Sequence, residues 1–235
     1  MNKIDTARIK ADFATTLAAK RSWLDRVSAR LARTTTELTD LNLLCENYLT
    51  SVYVDFECLL SDLFHGYINN DSRTYMSFVK SQIKTSVAAK YSQWHSNHLA
   101  FDPPKHIDAP RLRTLLDPTN WNITFKDVVS LQNRANEWLA SPYAKRFAAL
   151  SPSDVALIDA AHALRNCIAH NSESSRKIMN AKIKAIATGP RCPNKTLAIV
   201  GNSVNTVGKY LRAGTPSGMR VTVYSDRLAG VGASL

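Results

Sequence analysis

The residues of this chain best suited to chemistry crowd into one short stretch, LRNCIAHNS at 164–172. Arg165 is followed directly by Asn166, and His170 comes five residues after the arginine. Arginine is permanently charged, and its forked donors suit the charge that develops on a phosphate during displacement. Histidine can take or return a proton near neutral pH. Asparagine does not titrate but can orient either partner. Such a trio suits RNA cleavage by the RNA's own 2′-hydroxyl. A base removes the hydroxyl proton, the oxygen attacks the adjacent phosphorus, and an acid protonates the departing 5′-oxygen. The structural alternative is that Arg165 and His170 only cap helices. Spacing alone does not decide, because 16 arginines and six histidines produce about one Arg with a His five to seven positions later by accident. Requiring the five-residue step and the adjoining asparagine lowers that expectation to roughly a few hundredths.

Other constellations are weaker. GNSVNTVGKY at 201–210 has the wrong glycine spacing for a phosphate-binding loop, and Tyr210 stands where a magnesium-ligating Ser or Thr belongs. His95 and His98 in WHSNH lie one helical turn apart without a third ligand at recognisable spacing. Asp55 and Glu57 are two apart and face different sides of a helix. The four cysteines, Cys45, Cys58, Cys167 and Cys192, form no C-x-x-C pair, which argues against a metal site and a disulfide framework. No nucleophile motif for acyl transfer is present. Neither a cofactor nor a metal is expected.

The net charge of +11 is unevenly spread. Residues 165–235 hold 11 Lys+Arg against only Glu173 and Asp226, so nine of the excess positive charges lie at or beyond Arg165. A basic field draws polyanions such as nucleic acid, or it serves only as a solubilising tail. No apolar run reaches the length of a membrane span, and MNKIDTARIKADF lacks the apolar core of a signal peptide. A cytoplasmic, reduced setting without membrane contact is the expectation.

The elements that must position these residues read as helices. Ile9, Phe13, Leu17, Leu24, Val27 and Leu31 form one apolar stripe over 5–33. Thr34, Thr35, Thr36 and Thr39 interrupt it and can cap a second helix, about 39–65, apolar around much of its circumference, with Gly66 as a stop. A third helix is expected over about 72–97, shorter ones over 124–140 and 142–150. The prolines of LAFDPPKHIDAP and the segment DPTNWN break the chain between them. In SPSDVALIDAAHALRN, Ser151 as N-cap, Pro152 and Asp154 open a helix that runs to about 169. If it ended near Ala169, His170 would be free to turn towards Arg165; on a continuous helix they stand about 140° apart. Asn171 and Ser172 can cap a further helix that ends before TGPRCPN; another is possible at 203–212, and RVTVYS reads as a strand. The expectation is an all-α bundle over 1–188, core about 35–188, with a long N-terminal helix and a small basic C-terminal extension, 189–235, holding a short strand.

The stretch Arg165-Asn166-Cys167-Ile168-Ala169-His170 resembles the signature of HEPN domains (higher eukaryotes and prokaryotes nucleotide-binding), closest to the RiboL-PSP-type HEPN ribonucleases of bacterial defence and toxin systems. The early helix VYVDFECLLSDLF fits that context, and the likeness covers about 35–190. The resemblance implies a HEPN-like bundle and metal-independent RNA cleavage. It also implies a homodimer in which two motifs face one composite cleft, with a possible antitoxin or activator protein as a further partner. His170 would be the general acid/base, Arg165 the transition-state stabiliser and Asn166 the orienting group. His162, Glu57 and Asn171 are accessory candidates, Glu57 as a brace for Arg165. Two alternatives stay open: a non-catalytic HEPN module that binds RNA, a nucleotide or a protein, and a plain helical interaction protein.

Overall fold

Apolar residues spaced three and four apart run through most of the chain, and they fold as helices. The computed structural model describes residues 3–31, 36–102, 104, 106–117, 122–186, 194–199 and 203–235. Thr34, Thr35, Cys192, Gly201, residues 118–121 and most of TGPRCPN therefore lie outside the described residues. The helices are α1 (Thr6–Leu31), α2 (Glu37–Asn70), α3 (Arg73–Lys90), α4 (Gln93–His98), α5 (Ala109–Leu116), α6 (Val128–Trp138), α7 (Ser141–Ala148), α8 (Pro152–His170), α9 (Glu173–Ile186), α10 (Val207–Arg212) and α11 (Arg220–Ser234). A 3₁₀ turn covers Lys195–Leu197. Strands β1 (Gly214–Thr215) and β2 (Gly218–Met219) pair antiparallel around Pro216 and Ser217, with Gly218 at φ 114°. The fold is all-α with one small C-terminal hairpin.

Two compact units share the long helices. One comprises Met1–Ile9 and Leu60–Ala149, the other Lys10–Leu59 and Leu150–Leu235. The first is built around aromatic rings: Phe64 packs against Phe125, Trp138 and Phe147, and Tyr67 stacks on Tyr143 at 4.3 Å. Here Gly66 corrects an expectation. It does not stop α2, which continues to Asn70. A Cβ at Gly66 would come within 2.6 Å of the Thr6 methyl, so the glycine admits the N-terminal segment rather than ending a helix. The expected third helix is also two helices. Ser92 breaks it in extended conformation and caps α4, its Oγ accepting from the His95 N–H.

The second unit buries Tyr48, Leu49, Val52 and Phe56 of α2, Leu157, Leu164 and Cys167 of α8, and Val221, Tyr224 and Leu228 of α11. RVTVYS is helical, not a strand. Its β-branched alternation is overridden by burial at 221, 224, 228 and 231, a three- and four-residue spacing that places one face of α11 in the core. Residues of the expected C-terminal extension are tied into this unit. Arg227 donates to Asp154 at 2.9 Å, Tyr48 to Ser225 at 3.0 Å, and Tyr210 to the Leu197 carbonyl at 2.9 Å. Among the described residues no helix is long and apolar enough to cross a membrane.

Candidate functional site on helix α8

Helix α8 begins as its sequence requires. Ser151 is extended, its Oγ accepts from the Asp154 N–H at 3.2 Å and donates to the Asp154 carboxylate at 2.6 Å. Leu157, Ala160, Ala161, Leu164 and Cys167 are buried, which fixes the rotation of the helix. His162, Arg165 and Asn166 consequently fall on a half-buried flank, and His170 is exposed as the last helical residue.

The half-buried flank carries a connected chain of polar groups. Arg165 Nη1 donates to Asn166 Oδ1 at 3.0 Å, and Asn166 Nδ2 lies 2.9 Å from His162 Nε2. A guanidinium only donates, so Arg165 requires the amide oxygen of Asn166 on its side. The amide nitrogen then faces His162, whose Nε2 must accept, leaving the imidazole proton on Nδ1. Protonating Nε2 would set donor against donor and break the link. The His162 ring stacks on buried Tyr53 of α2, with centroids 5.7 Å apart and planes 19° from parallel.

Charge reinforces this arrangement. Burial pushes the Glu57 carboxyl above its usual range, and the Arg165 cation opposes that shift. The Tyr53 hydroxyl is pushed far up by burial and by the Glu57 and Asp159 charges, so it stays protonated. Asp159, one turn before His162, pairs with Lys182 of α9 at 2.6 Å. Glu57 thus lies within the field of Arg165, with no direct ion pair between the two. Arg165 Nε is buried and has no hydrogen-bond partner, so the guanidinium holds a donor unused by the protein.

His170 and Arg165 are not brought together. Helix α8 does not end at Ala169; it continues through His170 and stops at Asn171, which adopts the left-handed conformation at φ 44° and ψ 33°. The two side chains therefore keep the angular separation of a continuous helix, about 140°. Among the described residues the His170 side chain makes no hydrogen bond, ion pair or ring contact. Asn171 has a structural use beyond the helix stop, since its Oδ1 accepts from Arg176 of α9 at 2.6 Å. Sequence reasoning missed Tyr53 and Asp159. Tyr53 lies four residues before Glu57 on α2, so the pair shares a helix face, a spacing that could have drawn attention to it.

The remaining candidates have ordinary partners. Gly208 N–H in GNSVNTVGKY donates to the Glu46 carboxylate at 2.7 Å, so the protein itself supplies the anion there. His98 Nδ1 binds the Trp94 carbonyl at 2.8 Å, His95 Nδ1 binds Ser92 at 2.8 Å, and Asp55 pairs with Lys20. No three His, Cys, Asp or Glu side chains among the described residues gather in a way that could hold a metal ion. Cys45 and Cys167 are free thiols, and burial pushes Cys45 up to about 11. No family model matches the chain, and no curated protein or solved structure matches it either.

Proposed function

We propose that this protein is a metal-independent RNA endonuclease of the HEPN type, acting as a toxin or defence effector. The observation that carries this is Arg165: half-buried on a rigid helix and committed by a single hydrogen bond, from Nη1 to Asn166, which leaves its Nη2 donors unused. A phosphate oxygen is the natural acceptor for such a group. Asn166 would hold the guanidinium in position, as it does here, while Glu57 supplies the balancing charge behind it. His170, exposed on the same helix, would shuttle the proton between the 2′-hydroxyl and the leaving oxygen. Because one chain keeps Arg165 and His170 apart, the complete site requires two chains, in keeping with a homodimer and a composite cleft. An antitoxin or activator protein would act by blocking or building that cleft. The nucleophile is the RNA's own 2′-hydroxyl and its proton is taken by a side chain, so the scheme needs no ion to supply a nucleophile.

The test is cleavage of labelled single-stranded RNA in EDTA by wild type, Arg165→Ala and His170→Ala. Chelator-resistant cutting that leaves a 2′,3′-cyclic phosphate, spares DNA and drops at least about 100-fold in both variants, the scale of lost acid–base or electrostatic catalysis, supports the enzyme. Cutting that survives His170→Ala would remove this histidine from the mechanism.

The separation of Arg165 and His170 within one chain also favours a second reading, a non-catalytic module in which Arg165 binds the phosphate of an RNA or nucleotide, or a carboxylate of a partner protein. Wild type that binds RNA and never cuts it would select that reading.

A further inference from the structure

A second surface, in the other compact unit, has the make-up of a nucleic-acid platform. Between Asp71 and Asp102 the chain contains no acidic residue, yet it carries Arg73, Lys80, Lys84, Lys90, His95 and His98. Helix α3 buries only Tyr75, so most of its length faces outward. Helix α4 folds back on the end of α3, where buried Ser96 donates its Oγ proton to the Lys84 carbonyl at 2.9 Å. The two helices enclose an open groove of about 580 Å³, lined by Ser77, Lys80, Ser81 and Lys84 on one side and Gln93 and Asn97 on the other. Every polar group there is a hydroxyl, an amide or an ammonium. Among the described residues Lys80, Lys84 and Lys90 make no ion pair.

Close in sequence to the groove residue Gln93, though not lining the groove themselves, stand two large aromatic rings that no core contact explains. Tyr91 is 71% exposed and Trp94 63%. Each has ring contacts within the segment: the His98 ring stacks on Trp94 at 4.3 Å, and His95 lies edge-on to Trp94 at 5.2 Å and tilted against Tyr91 at 6.0 Å. Exposed flat rings close to a cationic groove are what unpaired bases use for stacking while the backbone runs along the charges. A protein-docking patch would instead be depleted in lysine.

We propose that the α3–α4 groove binds single-stranded RNA, with Lys80 and Lys84 on the phosphates and Trp94 and Tyr91 stacking bases without sequence preference. The choice of RNA rests on the ribonuclease reading; the single-strand platform does not.

The probe is a fluorescein-labelled, 2′-O-methylated single-stranded oligonucleotide, which lacks the attacking hydroxyl and reports binding alone by anisotropy. Trp94→Ala should weaken binding about 5- to 150-fold, the range for one lost stacked base. The Lys80→Gln, Lys84→Gln double variant should flatten the plot of log affinity against log salt by about 1.4, two single-strand phosphate contacts. A matching duplex should bind more weakly than the single strand. Chelator-resistant cleavage of unmodified RNA is scored separately from this binding, so failure of the catalytic reading and failure of the platform give different results. All these positions are solvent-accessible, and cooperative thermal melting confirms that each variant folds. Unchanged affinity and salt slope in both groove variants would overturn the proposal, as would duplex binding equal to single-strand binding. A Trp94→Ala variant that loses self-association while still binding the oligonucleotide would also overturn it, and would assign the surface to contact between copies.

Discussion

Glu57 sits where its charge is costly, and Arg165 offsets only part of that cost. Burial is the larger influence on its carboxyl and raises its pKa above the ordinary 4.5; the Arg165 cation is the smaller and lowers it. The folded protein therefore favours the protonated form more than the unfolded chain does. Its stabilising contribution is fully present below about pH 4.5 and is lost as pH rises through the raised value. At pH 7 an ionised Glu57 weighs against folding, so Glu57→Gln should melt higher than wild type there. The difference should shrink as pH falls from the raised value towards 4.5 and vanish below it. A variant that melts lower at pH 7 would show that the Arg165 attraction outweighs desolvation. At this scale the sequence was partly informative. Arg165 and Asn166 could be placed from the motif, because their bond lies within one turn of one helix, whereas Glu57, on α2, was named only through the family resemblance. Tyr53 could not, since its stacking on His162 depends on how α2 and α8 pack, which no local pattern encodes.

At the scale of elements, the close approach of α10 to α2 is the most exacting contact in the second unit. A Cβ on Gly208 would lie 2.6 Å from the Asn42 carbonyl oxygen and 2.7 Å from its carbon, both main-chain atoms of a long helix. Nothing there can rotate aside. Gly208→Ala must push α10 outward, stretching the Gly208 N–H bond to Glu46 and the Arg212 bond to Asn42 Oδ1. A loss of about 1–3 kcal/mol, as for other overpacked contacts, should appear as a lower urea midpoint. An unchanged midpoint would mean that α10 is free to shift. The glycine had invited comparison with a phosphate loop, and its actual use is steric. Helices with local start signals were legible: Ser151-Pro152-Ser153-Asp154 opens α8 as capping rules require. Helix α11 was not, because Val221, Thr222 and Val223 favour a strand locally, and the buried spacing through Leu228 and Val231 decides otherwise. Gly66 shows the converse error, a residue with a helix-stop signature kept inside a helix by the segment packed on it.

At the scale of the whole molecule, the catalytic proposal depends on what a single chain leaves undone. Arg165 lies on the half-buried flank of α8 and His170 on its exposed end, with no contact between them. If cleavage uses Arg165 from one copy and His170 from the other, two inactive variants can repair each other. Arg165→Ala and His170→Ala, each silent alone, should regain RNA cleavage when unfolded together and refolded. The heterodimer retains one intact arginine and one intact histidine. Random pairing makes about half of the dimers mixed, and each keeps one of its two Arg–His pairings, so recovered activity should approach about a quarter of wild type. A site complete within one chain would recover nothing from mixing, because every chain would still lack one of its two groups. The same experiment run at falling protein concentration separates assembly from chemistry. Composite activity must fade as dimers dissociate, with the single-strand binding of the α3–α4 groove, which one chain supplies entire, persisting below the concentration at which cutting stops.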